Sequence, residues 1–305
     1  MENSGEAIAA LERFCGENGI VCSINENLWE HSSFKIGGPA ALFVEPASIA
    51  EASAVIREAA LLKLPLLPLG KGSNVLFSDE GYPGAILHLG QLFCEMELLD
   101  ERTIRCESGA NLSRLCLFAM ENGLTGMEPL YGIPGTVGGA VYMNAGAYGG
   151  EMKDVLISAE HLDENGGQGV LAGEELQLSY RHSAYSDNGF IITAATVRLE
   201  PGDPEAIKAA MEDFMERRRS KQPLEYPSAG STFKRPEGDY ASALIDRCGL
   251  KGLRVGGAMV SEKHAGFLIN YDNASCKDVQ ALIKKVSDEV EKQSGIRLEC
   301  EVKIL

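Results

Sequence analysis

Two glycine-rich segments have the composition of phosphate-binding loops. They are "LGKGSN" at residues 69–74 and "GIPGTVGG" at residues 132–139, and each lies beside a short apolar stretch. Consecutive backbone N–H groups with no side chains in the way can surround phosphate oxygens. Neither segment fits the P-loop or the G-x-G-x-x-G pattern, which argues against both of those nucleotide sites. Either segment alone could equally be a tight turn, but the presence of two favours a large phosphorylated cofactor.

The composition argues against nucleic-acid-binding and membrane-spanning proteins. The chain has 305 residues, a net charge of −16 and 45% hydrophobic residues. Proteins that bind nucleic acid normally carry a basic excess, so we expect no nucleic-acid partner. No stretch approaches the ~20 apolar residues of a membrane span, and the N-terminus lacks the basic and apolar regions of a signal peptide. We therefore expect a cytoplasmic protein with no membrane partner. We also expect a monomer, although no feature of the sequence determines the oligomeric state.

The eight cysteines do not indicate a metal site. They form no C-x-x-C pair, and no cluster of cysteine and histidine has the spacing of a zinc site. In a chain without a secretory signal, cysteines are normally reduced and buried like small apolar residues. We therefore expect free thiols and no bound metal.

Predicted helices and strands alternate along the chain, and the two glycine-rich segments lie between them. Helices are predicted at residues 5–17, 48–64, 111–123, from about 204 onward, and 275–295. Strands are predicted at residues 40–46, 65–70, 190–200 and 297–305, with a hairpin formed by 96–100 and 103–110. Ser48 and the pair Ser275 and Asp278 are predicted helix caps, and Gly295 is a predicted helix stop.

Seven segments follow one another in a specific order. They are "HSSFKIGGPA" (31–40), "PLGKGSNVLFSDEG" (68–81), "GIPGTVGGAVYMNAGAYGGE" (132–151), "YRHS" (180–183), "PSAGSTFKRP" (227–236), "GGAMVSEKHAGFLIN" (256–270) and "LECEVKI" (298–304). Together they resemble the UDP-N-acetylenolpyruvoylglucosamine reductases, bacterial flavoenzymes of peptidoglycan precursor synthesis. One such segment is weak support, whereas seven in order from about residue 30 to the last residue are highly specific.

The resemblance implies an α+β protein with an FAD-binding fold of the vanillyl-alcohol-oxidase (PCMH) type in two subdomains, followed by a C-terminal α/β substrate domain. The implied division is an N-terminal helical segment (1–30), an FAD-binding region (31–200) and a substrate-binding domain (201–305). The cofactor would be non-covalent FAD. The residues predicted to bind it are Gly70, Lys71, Gly72, Ser73, Asn74, Pro134, Gly135, Thr136, Val137, Gly138, Gly139, Asn144 and Gly146.

The reaction implied by the resemblance is reduction of an enolpyruvyl ether to a lactyl ether, with NADPH as co-substrate and a UDP-sugar as substrate. Hydride addition places negative charge on the substrate carboxylate, and a proton must reach the adjacent carbon. The resemblance assigns the proton donor to Ser231, the carboxylate contact to Arg181, and polarisation of the same region to Glu301. On residue type alone, these three would be a turn serine, a surface arginine and a solvated glutamate.

Three further residues match substrate-binding positions of the family. Lys221 would hold the UDP phosphates, Tyr148 would lie near the nicotinamide or substrate, and Arg235 stands where some relatives have Asn. The segment between Arg181 and Ser231 is short, which resembles the class without a substrate-covering insertion. Because Glu301 is close to the last residue, fraying of this end would weaken its positioning.

Two other functions remain open at the level of sequence. An FAD-dependent alcohol or sugar oxidase would have the same fold, but such oxidases often attach FAD through His or Cys, and neither glycine-rich segment contains one. The second is a non-catalytic nucleotide-binding module. No separate dinucleotide motif indicates whether NADPH or NADH is preferred.

Overall fold

The computed structural model describes residues 2–305, with side chains from residue 5 onward; residue 1 of the predicted N-terminal segment lies outside the described residues. The α-helices are α1 Glu2–Glu17, α2 Ile49–Leu61, α3 Leu112–Glu121, α4 Val137–Tyr142, α5 Tyr185–Asn188, α6 Pro204–Lys221, α7 Ala241–Arg247 and α8 Cys276–Ser294. Each long helix coincides with a predicted helix.

The strands are short and numerous. They are β1 Val21–Asn27, β2 Pro39–Glu45, β3 Leu66–Leu69, β4 Val75–Leu76, β5 Tyr82–His88, β6 Met96–Leu98, β7 Thr103–Glu107, β8 Leu124–Thr125, β9 Gly146–Ala147, β10 Gly150–Glu151, β11 Leu156–Leu162, β12 Gln168–Ala172, β13 Ile191–Arg198, β14 Glu200–Pro201, β15 Ser228–Ser231, β16 Arg254–Val255, β17 Ala258–Val260, β18 Phe267–Asn270 and β19 Lys303–Ile304. The predicted hairpin is confirmed as the antiparallel pair β6 and β7.

The chain forms two compact units. Unit 1 contains residues up to Ile24, Leu42–Lys71 and Pro83–Arg217, and unit 2 contains Asn25–Ala41, Gly72–Tyr82 and Arg218–Leu305. This division differs from the expected segments 1–30, 31–200 and 201–305. It differs because residues 25–41 and 72–82 bond to the C-terminal part of the chain: Ser228 N donates to Ser33 O at 3.2 Å, and Ser78 N donates to Leu305 O at 2.7 Å.

Unit 1 is built around an antiparallel sheet in the order β12-β11-β13-β7-β6. A second sheet has the order β1-β2-β5-β3, in which β3 and β5 are parallel. In β13 all residues but the last are buried, as expected for a strand covered on both faces. Ser48 caps α2 through a bond from Glu51 N to Ser48 Oγ of 3.2 Å, which confirms the predicted start of this helix.

Unit 2 contains the sheet β15-β18-β17-β16 with α8 packed against it. The apolar stripe of α8 is fully buried at Val279, Leu282, Val286 and Val290. The predicted capping box is present, because the Ser275 and Asp278 side chains each accept the other's backbone N–H at 3.0 Å. The buried stripe and the capping box together hold α8 against the sheet of unit 2.

The predicted strand at 297–305 is largely wrong. Only β19 forms, and it pairs in parallel with β4. Before it, Glu301 N donates to Thr232 O at 2.8 Å, and Lys234 N donates to Glu299 O at 2.9 Å. Ile304 is 42% exposed, so the strict alternation of the sequence does not correspond to one buried face. The pairing of β19 holds the end that was expected to fray.

Candidate functional site

Within unit 1, Gly70 of the first glycine-rich segment lies against Thr136 of the second. A Cβ added to Gly70 would lie 2.4 Å from Thr136 Oγ1, and one added to Gly138 would lie 2.9 Å from Ser108 Cβ. Both distances are shorter than ordinary contacts between Cβ and other heavy atoms. Glycine at these two positions therefore allows the protein to pack against itself, whether or not a ligand is bound.

Thr136 organises the second segment as the N-cap of α4. Its Oγ1 accepts from Gly139 N at 3.3 Å. The amides of Val137 and Gly138 donate to Ala110 O and Ser108 O, both at 2.8 Å. The N–H groups of residues 137–139 are therefore occupied by acceptors of the protein. Any contact of residues 137–139 with a cofactor would be made by the backbone surface rather than by free amide donors, and cofactor binding by this segment stays a prediction.

The first segment has four backbone amides in a row with no acceptor in the described chain. The four consecutive amides of residues 70–73 find no hydrogen-bond acceptor within residues 2–305. Gly72 has a φ of +58° and is buried, and a Cβ there would lie 2.1 Å from His31 O. Successive unpaired amides in such a bend form an anion-binding concavity. The segment therefore fits a phosphate group, such as the diphosphate of FAD.

No contact within the described part of the protein requires glycine at position 139. It is exposed, has no left-handed φ, and a Cβ there would meet only Thr136 Oγ1 at 3.5 Å, an ordinary contact. Alanine would also suit the first turn of α4 better than glycine does. An approach by a ligand is a physical reason for glycine at this position.

Arg181 lies at the tip of a tight turn in unit 1. Ser179 and His182 form an isolated antiparallel bridge, with amide-to-carbonyl distances of 3.1 and 3.2 Å. Arg181 has a φ of +55°, a conformation in which turns favour Gly or Asn and which costs about 1–2 kcal/mol for other residues. Its guanidinium lies 5.2 Å from the Tyr180 ring centroid, and its Nη2 is 3.4 Å from Gly146 O. Such strain is typical of functional positions.

Asn144, predicted as a cofactor ligand, is fully buried. Its Nδ2 donates to Glu151 Oε2 and to Ser179 O, both at 2.9 Å, and its Oδ1 accepts from Lys153 N at 2.9 Å. The ion pair with Lys153 is the main reason why the pKa of Glu151 is lowered, so this carboxylate is charged. Glu151 is not among the predicted site residues, although it is the last residue of the family-like segment 132–151.

Unit 2 brings together Ser231, Glu301 and Asn74. The bond between Glu301 N and Thr232 O places the strand segment that carries Ser231 beside Glu301. Asn74 Nδ2 donates to Glu301 O at 3.3 Å, which ties the end of the first glycine-rich segment to the same place. Ser231 is exposed and Glu301 is partly buried. The pair is therefore joined by backbone pairing, a relation that no spacing in the sequence reveals.

The three predicted substrate-binding residues lie at different places. Tyr148 in unit 1 has a φ of +52° and stacks on Phe214, with centroids 5.0 Å apart. Lys221 is exposed at the last residue of α6. In unit 2, the Arg235 guanidinium lies 4.3 Å from the centroid of Tyr240, which the sequence analysis did not single out. Such an exposed cation and ring can present charge and a flat apolar face together.

The described residues contain neither a candidate metal site nor a membrane-spanning helix. Among the side chains of residues 5–305, no group of three or more His, Cys, Asp or Glu could hold a metal ion. No helix within residues 2–305 is long and apolar enough to cross a membrane. All eight cysteines are free thiols, as predicted.

Comparison with protein families places known domains on both parts of the chain. Residues 40–170 match the family described as an FAD binding domain, and residues 222–305 match the UDP-N-acetylenolpyruvoylglucosamine reductase C-terminal domain. The first range includes both glycine-rich segments, and the second includes Ser231 and Glu301. The predicted α+β fold with an FAD-binding region is thus confirmed.

Individual relatives agree over nearly the whole chain. The UDP-N-acetylenolpyruvoylglucosamine reductase of Caldanaerobacter subterraneus subsp. tengcongensis is 46% identical over 92% of this chain and 93% of its own. The crystal structure of the same enzyme from Thermus caldophilus matches with a TM-score of 0.79 and 35% identity, covering 93% of this chain and 98% of the other. A BBE-like protein of Physcomitrella patens matches with a TM-score of 0.50 and 16% identity, over 63% of this chain and 44% of that protein, and shows likeness of fold alone.

Proposed function

Because the chain belongs to the UDP-N-acetylenolpyruvoylglucosamine reductase family, we propose that it reduces the enolpyruvyl ether of UDP-N-acetylglucosamine enolpyruvate to UDP-N-acetylmuramate. FAD is the resident cofactor and NADPH the reductant. The observation that carries the proposal is the identity of 43–48% to curated reductases over 90–100% of the chain. Sequence identity over this much of the chain includes both units and all the segments that carry the predicted site residues.

The residues of the chain would supply binding, orientation and proton transfer. The chemistry that FAD supplies when bound is transfer of hydride from NADPH to the enolpyruvyl carbon distal to the substrate carboxylate. The amides of residues 70–73 would hold the diphosphate of the cofactor, since they have no other acceptor in the described chain. Gly139 would let the backbone approach the cofactor closely.

Arg181 would stabilise the substrate carboxylate while negative charge develops on it. The tight turn fixes the backbone of Arg181, and contacts with Gly146 O and the Tyr180 ring orient its guanidinium before the reaction. An arginine keeps its charge at any relevant pH and can donate two parallel hydrogen bonds to one carboxylate.

Ser231 would give a proton to the carbon next to the carboxylate, forming the second new C–H bond. The serine oxygen then takes a proton from solvent, so one hydride and one proton are added in each turnover. Free serine is a very weak acid, and a neighbour must therefore assist it. Glu301, held beside the Ser231 strand segment by backbone pairing, is proposed to polarise the region of the substrate carboxylate or to act through water.

The proposal is tested with the purified protein. We expect it to be yellow, to lose its flavin absorbance when NADPH is added without oxygen, and to regain it when the enolpyruvyl UDP-sugar follows. A colourless protein that takes up no FAD, or a reduced flavin that the sugar does not reoxidise, would contradict the proposed function. Flavin that remains in an acid-precipitated pellet would instead favour the oxidase.

The role of Ser231 is tested by separating the two half-reactions. In Ser231→Ala, reduction of the flavin by NADPH should stay within about twofold of the unmodified protein. Reoxidation by the sugar should slow by about 10²- to 10⁴-fold, the usual contribution of a general acid. Ser228→Ala, at the other end of β15, is the matched control and should change neither rate. Equal losses in both half-reactions would contradict the assignment.

A further inference from the structure

Asn144 connects two loops of unit 1 that the sequence separates by more than 25 residues. One loop carries β9 and β10, which pair as Gly150 with Ala147 and Glu151 with Gly146. The other is the turn from Ser179 to His182, which carries Arg181 at its tip. The Asn144 amide donates to the carbonyl of Ser179, the first residue of that turn, at 2.9 Å.

The hydrogen-bonding capacity of this side chain is largely used inside the protein. An amide side chain has two N–H donors, and here one serves Glu151 Oε2 and the other Ser179 O. Its oxygen accepts from Lys153 N at 2.9 Å. The side chain is 0% exposed, so it presents no surface to a cofactor. These observations disagree with direct contact between Asn144 and FAD.

The same network reaches Arg181 from a second side. Gly146 O lies 3.4 Å from Arg181 Nη2, and Gly146 is the residue paired with Glu151. The Glu151 carboxylate accepts from Asn144 and interacts electrostatically with Arg181. Asn144 therefore bonds both to the turn that carries Arg181 and to a carboxylate that interacts electrostatically with Arg181.

We propose that Asn144 is a positioning residue that holds the Arg181 turn in its strained conformation, and that it does not bind the cofactor. The turn needs such support because the left-handed φ of Arg181 is unfavourable by itself, and strained backbone persists only where its surroundings impose it. The bond to Ser179 O fixes the start of the turn, and the Asn144 side chain is in turn fixed by its burial.

This inference rests on the proposed function, since Arg181 is assigned there to the substrate carboxylate. It makes a distinctive prediction, because loss of Asn144 should affect only the half-reaction that uses Arg181. In Asn144→Ala, flavin reduction by NADPH and the dissociation constant of FAD should stay within about threefold. Reoxidation by the enolpyruvyl UDP-sugar should slow by about 10- to 100-fold, the usual effect of a displacement near 1 Å at a reacting centre.

The decisive measurement is a double-mutant cycle. If Asn144 acts through Arg181, then Asn144→Ala should slow sugar-dependent reoxidation less than twofold further in an Arg181→Ala background. Independent effects would instead multiply. Ser53→Ala is the matched control, because Ser53 Oγ is also buried and donates to a backbone carbonyl of unit 1, Gly166 O, at 2.6 Å. It should leave both half-reactions unchanged, even if it lowers the melting temperature.

Asn144→Thr keeps the test open if the alanine variant folds poorly. Threonine has nearly the same volume and adds no charge beside Glu151, but its single O–H cannot donate to both Glu151 Oε2 and Ser179 O, so selective slowing of reoxidation is again expected. Loss of FAD from Asn144→Thr at a temperature where the protein remains folded would overturn the inference and restore the direct cofactor contact. Full multiplicativity in the cycle would also overturn it. If the unmodified protein does not reduce the sugar at all, the proposed function is contradicted instead. Failure of the inference about Asn144 is therefore distinguishable from failure of the proposed function.

Discussion

Replacing Gly139 by alanine tests whether glycine is needed at this position for folding or for binding a ligand. An added Cβ would lie 3.5 Å from Thr136 Oγ1 and would meet nothing closer. Gly139 also lies in the first turn of α4 without a left-handed φ. The protein alone should therefore accept alanine, and the gain in helix propensity should stabilise it by up to about 0.5–1 kcal/mol.

The bound cofactor should not accept the same change. If the backbone at residue 139 contacts FAD, the new methyl group occupies volume that the cofactor fills. Inserting a methyl group into a packed contact costs about 1–3 kcal/mol, which corresponds to an affinity for FAD lower by about 5- to 150-fold. The expected outcome is thus an apoprotein at least as stable as before that binds FAD more weakly.

The assay uses apoprotein from which FAD has been removed. Thermal melting of the apoprotein reports stability, and quenching of flavin fluorescence during titration reports the dissociation constant. Gly16→Ala is the matched control, because Gly16 is an exposed glycine in α1, also without a left-handed φ, and a Cβ there would meet nothing within 4 Å. It should leave the affinity for FAD unchanged. Unchanged affinity in Gly139→Ala as well would refute the close approach.

Two further predictions concern stability. The bidentate bonds of 2.6 and 2.7 Å from Arg105 lower the pKa of Glu160, so this pair stabilises the protein above the ordinary pKa of a glutamate and the effect disappears as the pH falls through the lowered value. Urea unfolding should show Glu160→Gln to be about 1–2 kcal/mol less stable at pH 7, and this difference should vanish once the pH is below the lowered pKa of Glu160; a difference that does not change with pH would refute the linkage. Asp79 accepts from the amides of Cys276 and Lys277 at 2.6 and 3.2 Å, so Asp79→Ala should cost about 1 kcal/mol in the same assay, and an unchanged unfolding midpoint would contradict this capping role.

Local patterns predicted the helices well because their causes are local. The apolar stripe of α8 and the capping side chains Ser48, Ser275 and Asp278 act within a few residues along the chain, and each is found where it was predicted. The strand at 297–305 was mostly wrong for the complementary reason. Alternation of apolar residues indicates a strand only if a partner is present, and the partners at this end are the short β4 and the irregular segment after Ser231.

The candidate site was predicted in part. The glycine content of residues 69–74 and 132–139, together with the family resemblance, predicted FAD as the cofactor. The match of residues 40–170 to an FAD binding domain confirmed it. The assignments of individual site residues remain predictions. The roles of the glycines could not be told apart from sequence, since Gly70, Gly138 and Gly139 look alike there. Their difference depends on which atoms of Thr136 and Ser108 lie beside them.

The sequence by itself determined the helices, the absence of spacings for a metal site, and the family, because these depend on residue type and order. Only the tertiary structure decided which amides remain free, that Asn144 is buried beneath the Arg181 turn, and that residues 25–41 and 72–82 belong with the C-terminal part of the chain. These features arise from contacts between residues far apart along the chain, and such contacts leave no periodic signal in the sequence.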